Sequence, residues 1–265
     1  MTRHVSEAFA RAKGENRAAL IGYLPAGFPN PELSVKLINA MVDSGVDIIE
    51  VGLPYSDPLM DGPVIQQAVD QALAAGTTTD VVLNIVKQVV DAGAIAVVMS
   101  YWNPIERYGV EKFAAGLEAA GGSGVIAPDL TPEESGDWSV ASDAHQVDRI
   151  LMVAPSSTDA RIASIVGVTS GFVYAASTMG VTGARTTVSS GAHDLVARTR
   201  ALTDLPIAVG LGVSTGDQAA EIAAYADGVI VGSAFVRRVL DAASDEAALE
   251  AVSELAKELA AGVRR

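Results

Sequence analysis

Eight short apolar runs alternate along the chain with stretches of helical periodicity, and the unusual residues gather where those runs end. These observations predict an α/β fold: a closed (β/α)8 TIM barrel with an extra N-terminal helix and an extra helix after strand 2. The 265 residues match the size at which such barrels form one unit, so residues 1–265 read as a single domain. A doubly wound open sheet shares the alternation and is the competing architecture. Fairly even strand spacing and the gathering of unusual residues at strand ends favour closure.

The chain opens with Thr2, Val5, Phe9 and Ala10 before Gly14, the pattern of an amphipathic helix over residues 2–13 closed by glycine. The predicted strands are Ala19–Leu24, Asp47–Gly52, Ala94–Ser100, Gly124–Pro128, Arg149–Val153, Gly171–Ala175, Pro206–Gly210 and Asp227–Gly232. Each stops at or near Gly, Pro, Ser or Asn, the residues that turn a chain. Helical spacing marks Pro31–Ser44, Pro63–Ala75, Thr79–Ala92, Gly109–Ala120, Pro132–His145, Thr158–Val166, Val188–Ala201, Thr215–Ala224 and Asp245–Ala260. The long gap from Gly52 to Ala94 holds two of these helices. No linker, low-complexity tract or composition shift interrupts the pattern.

Hydrophobic residues make up 49% of the chain but aromatic ones only 5%, so the core must be aliphatic, as packed parallel strands require. The absence of cysteine excludes disulfides, thiolate catalysis and Cys-ligated metals. A net charge of −14 disfavours nucleic acid and anionic membranes as partners. Residues Met1 to Gly14 mix charged and apolar side chains and read as neither signal peptide nor membrane span, so a soluble cytoplasmic protein is expected.

Chemistry is narrowed by what is missing from the strand ends. Lys13, Lys36, Lys87, Lys112 and Lys257 all fall in helical stretches, leaving no candidate for a Schiff base in the barrel mouth. His4, His145 and His193 are scattered and lie away from strand ends, so no His-rich metal site is expected. Carboxylates and tyrosines remain as acid–base groups. Glu50 stands out, because an acid in an apolar strand is costly unless paired or neutralised. A structural pairing with an arginine is its plain alternative. Asp61 ends the following loop, just before Gly62-Pro63, where it serves either chemistry or the start of a helix.

Three glycine-bearing turns come late. Ser177–Gly183 follows the sixth strand, Gly210–Gly216 the seventh, and Gly232-Ser233-Ala234 the eighth, running into a short helix. Barrels commonly hold a phosphate in these last loops, on backbone N–H groups at a helix start. Arg185 follows the first turn and Arg237 and Arg238 the third, but none lies within a turn. The expected anion site is therefore built mainly of backbone dipoles. Tight turning alone is the simpler use of any one such glycine.

At this point the chain resembles the tryptophan synthase alpha chain family. The resemblance rests on Glu50–Gln66 (EVGLPYSDPLMDGPVIQ) and Met179–Ala184 (MGVTGA), with the turns at Gly210–Ser214 and Gly232-Ser233 in support. It implies cleavage of indole-3-glycerol phosphate to indole and glyceraldehyde 3-phosphate, as the alpha subunit of an alpha2-beta2 complex. It implies no cofactor in this chain, with pyridoxal phosphate only on the partner beta chain. By motif, Glu50 corresponds to the catalytic acid/base, Asp61 to the group holding the indole nitrogen, and Tyr174 to an active-site tyrosine. Gly183, Gly212, Gly232 and Ser233 correspond to phosphate-binding positions, with Gly210 and Ser214 alongside. Tyr23 and Tyr101 match the indole pocket, and Asp57 and Asn103 the beta-chain interface. Tyr55 stands where many members have Phe, Met60 where Ala is usual, and the prolines of residues 127–135 are shifted.

Two other function classes fit the barrel. A phosphosugar isomerase or indole-glycerol-phosphate synthase would keep the phosphate site, but such enzymes often pair a lysine with a carboxylate. A non-catalytic docking subunit would have no need of buried acids.

Overall fold

The computed structural model describes residues 4–176, 190–210 and 212–265. Within them the order is α1 (Val5–Gly14), β1 (Ala19–Pro25), α2 (Pro31–Asp43), β2 (Ile48–Gly52), α3 (Pro63–Ala74), α4 (Thr79–Asp91), β3 (Ala96–Met99), α5 (Trp102–Tyr108), α6 (Val110–Ala119) and β4 (Gly124–Ile126). There follow α7 (Gly136–Ala144), β5 (Asp148–Ile150), β6 (Met152–Val153), α8 (Asp159–Val166), β7 (Val173–Ala176), α9 (Ser190–Arg200), β8 (Ile207–Gly210), α10 (Gly216–Ala223), β9 (Gly228–Val231), α11 (Ser233–Leu240) and α12 (Asp245–Gly262).

All strand pairs are parallel, in the order β5-β4-β3-β2-β1-β9-β8-β7-β6. β5 and β6 are the two halves of the predicted strand Arg149–Val153, separated only at Leu151. The Leu151 carbonyl accepts from Tyr174 N at 3.1 Å while Ile150 O accepts from Ala127 N at 3.3 Å, so this one segment turns from one neighbour to the other and closes the barrel. The closed reading holds over the open sheet.

Strand alternation sorts the side chains into two cores. Outward residues such as Leu20, Ile49, Val51, Val98, Val125 and Val209 pack beneath the helices. Inward residues Ile21, Ile48, Val97, Ile126, Ile150 and Ala208 fill the barrel, and α1 plugs its lower end with Val5, Ala8, Phe9 and Ala12. Phe9 meets Phe172 there at 5.4 Å between ring centroids. Each fully buried aliphatic side chain stabilises the fold by roughly 1.5–3 kcal/mol. No helix among the described residues is long and apolar enough to cross a membrane.

One helical expectation needs correction, and one helix was not expected at all. Pro132–His145 is helical only from Gly136, because residues 131–135 form a turn closed by Glu134 N to Thr131 O at 3.1 Å and Ser135 Oγ to Pro132 O at 2.9 Å. Helix α5 was not predicted. Its Asn103-Pro104 pair looks like a loop signal, yet proline is tolerated in a first helical turn, where N–H groups have no helical acceptor.

At the lower end, Asp47 opens β2. Its oxygens accept from Arg17 at 2.6 and 2.9 Å, Arg11 at 2.9 Å and Leu20 N at 2.9 Å. Burial pushes its carboxyl up, but these donors outweigh burial and hold it below the usual range. Asp47→Ala, which strands the nearly buried Arg17, should cost about 3–5 kcal/mol in denaturant unfolding. A loss below about 1 kcal/mol, the range of a surface pair, would refute that role. Because the folded value is depressed, this stabilisation is present above the ordinary aspartate range. The gap between parent and variant should therefore close as pH falls through the folded value.

Candidate active site

β2 alternates Ile48 inward, Ile49 outward, Glu50 inward. The carboxylate is thus aimed into the barrel by the same period that buries Ile48, and it is only 4% exposed. Register places Tyr23 of β1 and Val97 of β3 on either side of it. Among the described residues Glu50 forms no ion pair, and its Oε2 has no hydrogen-bond partner. No arginine among the described residues takes the place that a purely structural glutamate would require. Burial first, and the nearby Asp61 second, push the Glu50 carboxyl up to about 8.

Asp61 is 7% exposed. Helix α3 starts with Gly62 as its N-cap and Pro63 at its first position, without a side-chain cap. The Asp61 carboxylate is instead free to face inward, where Tyr101 OH donates to Oδ1 at 2.7 Å. The same hydroxyl accepts from Met60 N at 3.1 Å, and Gln66 Nε2 donates to Asp61 O at 2.7 Å. Burial raises the Asp61 carboxyl, and the Tyr101 hydrogen bond draws it back. Both neighbouring acids are thus raised, Glu50 strongly and Asp61 less, because only Asp61 has a hydrogen bond that opposes its burial.

Glu50 and Asp61 face a cavity of about 590 Å³, including its open mouth, with Tyr23 and Tyr174 on the same wall system. A mainly apolar concavity with a few convergent polar groups is the make-up of a small-molecule site. Burial holds both phenols protonated. Tyr174 OH lies so close to Gly210 that a β-carbon there would come within 2.2 Å of it. Gly210 thus sits beneath Tyr174 rather than on the cavity lining. Met60, Ile65, Met99, Ile126, Met152 and Ile230 form the apolar surface. Apart from Met60, none of these was singled out from the sequence; for Met99, Ile126, Met152 and Ile230 the signal was their inward phase on the strands, which an apolar run does not reveal, and Ile65 faces the cavity from α3.

At the other end, Gly212, Gly232 and Ser233 line the cavity. Gly212 has φ +96°, which glycine adopts without strain. Ser233 is the first residue of α11 and Gly232 its N-cap, so unpaired N–H groups and the positive end of the helix meet the cavity. Ser214 is turned elsewhere: its N and Oγ both bond Gln218 Oε1, at 2.8 and 3.1 Å. Gly183, with the loop Thr178–Thr187, lies outside the described residues. No lysine or arginine lines the cavity among the described residues.

Asp57 and Asn103 are exposed and stand apart from this cavity. Asn103 shares a surface cleft with Tyr55, Ser56 and Arg107, and Ser56 Oγ donates to Asp57 at 2.6 Å. All five lysines lie in helices, and His145 sits on the outer layer between Glu118 and Glu111 at 2.6 and 2.7 Å.

The neutral Glu50 predicts a stability effect. Its folded value is raised, so folding is favoured fully below the ordinary glutamate range and loses about 3 kcal/mol between that range and pH 7. Glu50→Gln, which cannot ionise, should therefore be more stable than the parent at pH 7 and gain little at pH 4. Equal melting temperatures for both proteins across that range would show that Glu50 is not held neutral.

The comparisons with known proteins agree with this geometry. The family model for the tryptophan synthase alpha chain matches residues 9–264. The alpha chain of Thermobifida fusca is 63% identical over 258 residues, covering 96% of each protein. That of Streptomyces coelicolor is 56% identical, covering 98% of this chain and 96% of its own length. A structure of Mycobacterium tuberculosis tryptophan synthase superposes with a TM-score of 0.93 at 52% identity, covering all of both chains. This chain belongs to the tryptophan synthase alpha chain family.

Proposed function

We propose that the chain cleaves indole-3-glycerol phosphate to indole and glyceraldehyde 3-phosphate, as the alpha subunit of tryptophan synthase in L-tryptophan biosynthesis. The observation that carries the reading is the buried Glu50, its Oε2 without a hydrogen-bond partner among the described residues, beside Asp61 in a cavity whose far end is glycine, serine and a helix start. A carboxylic acid kept neutral can give a proton to carbon, and a neighbouring anion can hold an N–H that becomes cationic.

The steps balance around one proton. Glu50 protonates ring carbon 3 of the indole, and positive charge spreads to the ring nitrogen, whose N–H donates to Asp61. The Glu50 carboxylate so formed then takes the proton of the adjacent hydroxyl. The carbon–carbon bond breaks as the aldehyde forms, its electron pair restores the indole, and Glu50 ends protonated as it began. Tyr174 and Tyr23 shape the wall beside Glu50. The phosphate would sit on the N–H groups at Gly212, Gly232 and Ser233, which turns its binding energy into orientation of the glycerol tail. An acidic protein thus binds an anion through backbone dipoles.

Asp57 and Asn103 are the candidate contacts to a beta chain in an alpha2-beta2 complex. Leu59, 72% exposed on the same loop as Asp57, supports this with apolar surface. Pyridoxal phosphate is assigned to that partner, and this chain works with its own carboxylates and no cofactor. A cytoplasmic site of action fits a soluble biosynthetic enzyme.

Indole release from indole-3-glycerol phosphate, with and without a beta chain, tests the reading; no cleavage in either condition would overturn it. Glu50→Gln should lower kcat by about 10²- to 10⁴-fold. Asp61→Asn should lower it by about 10²- to 10³-fold while binding of a phosphate analogue persists. Since protonated Glu50 is the acting form, kcat/KM should fall as pH rises past about 8. A flat profile to pH 9, with Glu50→Gln as active as the parent, would remove Glu50 from the chemistry.

A further inference from the structure

The peptide unit joining Tyr101 to Trp102 is held at both of its polar groups. Its carbonyl, on Tyr101, accepts from Ser100 Oγ at 2.8 Å. Its N–H, on Trp102, donates to the two Asp129 oxygens at 2.9 and 3.2 Å. Ser100 is fully buried, and its own N–H continues the β3–β4 pairing to Ile126 O at 3.0 Å. Asp129 lies three residues beyond the end of β4. The clamp therefore ties the ends of two adjacent strands to one peptide.

The position of this peptide matters because Tyr101 is the N-cap residue of α5 and yet caps nothing with its side chain. An N-cap is ordinarily Ser, Thr, Asp or Asn, whose own oxygen satisfies a free N–H of the first turn. Here the side chain is committed elsewhere: its hydroxyl donates to Asp61 and accepts from Met60 N. Asp129, 27 residues along the chain, supplies the missing acceptor. The Tyr101 hydroxyl stands at the far end of a rigid ring, also packed on Tyr55 at 5.7 Å between centroids. A small rotation of the peptide is magnified at that oxygen, and a misplacement of about 1 Å at a catalytic group can cost on the order of 100-fold.

We propose that Asp129, with Ser100 on the opposite edge, is a positioning residue for the cleavage: it fixes the Tyr101–Trp102 peptide and so sets the Tyr101 hydroxyl against Asp61 and the Met60 amide. This rests on the reading of Asp61 as the group that holds the indole N–H. Asp129 touches neither the cavity nor the substrate; it acts through Tyr101.

The test is a double-mutant cycle on the full chain assayed with its beta partner. Asp129→Ala should lower kcat/KM roughly tenfold through kcat, with Tyr101→Phe losing a similar amount. The double variant should be no worse than Tyr101→Phe alone, because both changes break the same contact. Asp129→Asn keeps an oxygen that can accept from Trp102 N and should stay within about threefold of the parent. The pH profile gives a readout that loss of structure alone would not move. Without the Tyr101 hydrogen bond Asp61 ionises less readily, so the acid limb of kcat/KM should shift upward equally in Asp129→Ala and Tyr101→Phe. If Asp129→Ala does not accumulate folded, Asp129→Glu keeps the charge but displaces the oxygens, and the same loss is expected. Parental activity in Asp129→Ala or Asp129→Glu, losses that multiply in the double variant, or an unmoved acid limb would overturn the proposal. Asp61→Asn separates the two levels: if it turns over at the parental rate the reading of Asp61 fails, whereas an impaired Asp61→Asn beside an active Asp129→Ala refutes only the positioning role.

Discussion

An acid buried inside a barrel without a cationic partner constrains everything around it. Glu50 is inserted in β2 by the same alternation that places Ile48 below it, and no arginine among the described residues comes to neutralise it. The charged form would cost several kcal/mol, so the side chain stays neutral up to about pH 8 instead. In water an ordinary glutamate is ionised at neutral pH. Here the apolar lining of Ile126, Ile230 and the methionines keeps Glu50 neutral, and the nearby Asp61 adds repulsion against a second negative charge. Reactivity at this point is a consequence of where a strand period happens to place one carboxyl group.

Such a residue needs a frame that does not relax around it. The barrel supplies that at its opposite end. α1 closes the lower opening with Phe9 against Phe172, and Asp47 gathers Arg11, Arg17 and the Leu20 N–H beneath β1 and β2. Asp47 and Glu50 are three residues apart on or beside one strand, yet they have opposite fates. Asp47 is surrounded by donors and ionised, while Glu50 forms no ion pair among the described residues and is held neutral. The first stabilises the fold; the second costs stability and provides chemistry. Separating them along the barrel axis lets one strand carry both.

Much of this was legible in the sequence where the cause is local. A carboxylate in an apolar run, a Gly-Pro helix start after Asp61 and glycines before late helices are short-range signals, and β2, α3 and α11 bear them out. The strand at Arg149–Val153 was found, although its division at Leu151 was not, since the change of neighbour there is a property of the closed sheet. Helix α5 was hidden by Asn103-Pro104, a pair that serves equally well in a loop. The Tyr101–Asp61 contact spans 40 residues and the Asp129–Trp102 contact 27. Neither leaves a mark on the residues between. Gly210 and Ser214 illustrate the converse: their types fit an anion turn, but one lies under Tyr174 and the other bonds Gln218.

The long-range contacts are also what join the two faces of the upper rim. Tyr101 reaches inward to Asp61, and the next residues of the chain, Trp102 and Asn103, turn outward into α5 beside the cleft that holds Tyr55 and Ser56. Met60, whose amide donates to the same hydroxyl, ends the loop that carries Asp57 and the exposed Leu59. Two surface segments therefore converge on one phenolic oxygen next to an acid of the cavity. A partner pressing on either segment would meet a short, hydrogen-bonded route of a few atoms rather than a diffuse path through the core. The Tyr101–Trp102 peptide at the root of that route is held by Asp129 and Ser100, contacts made within this chain alone.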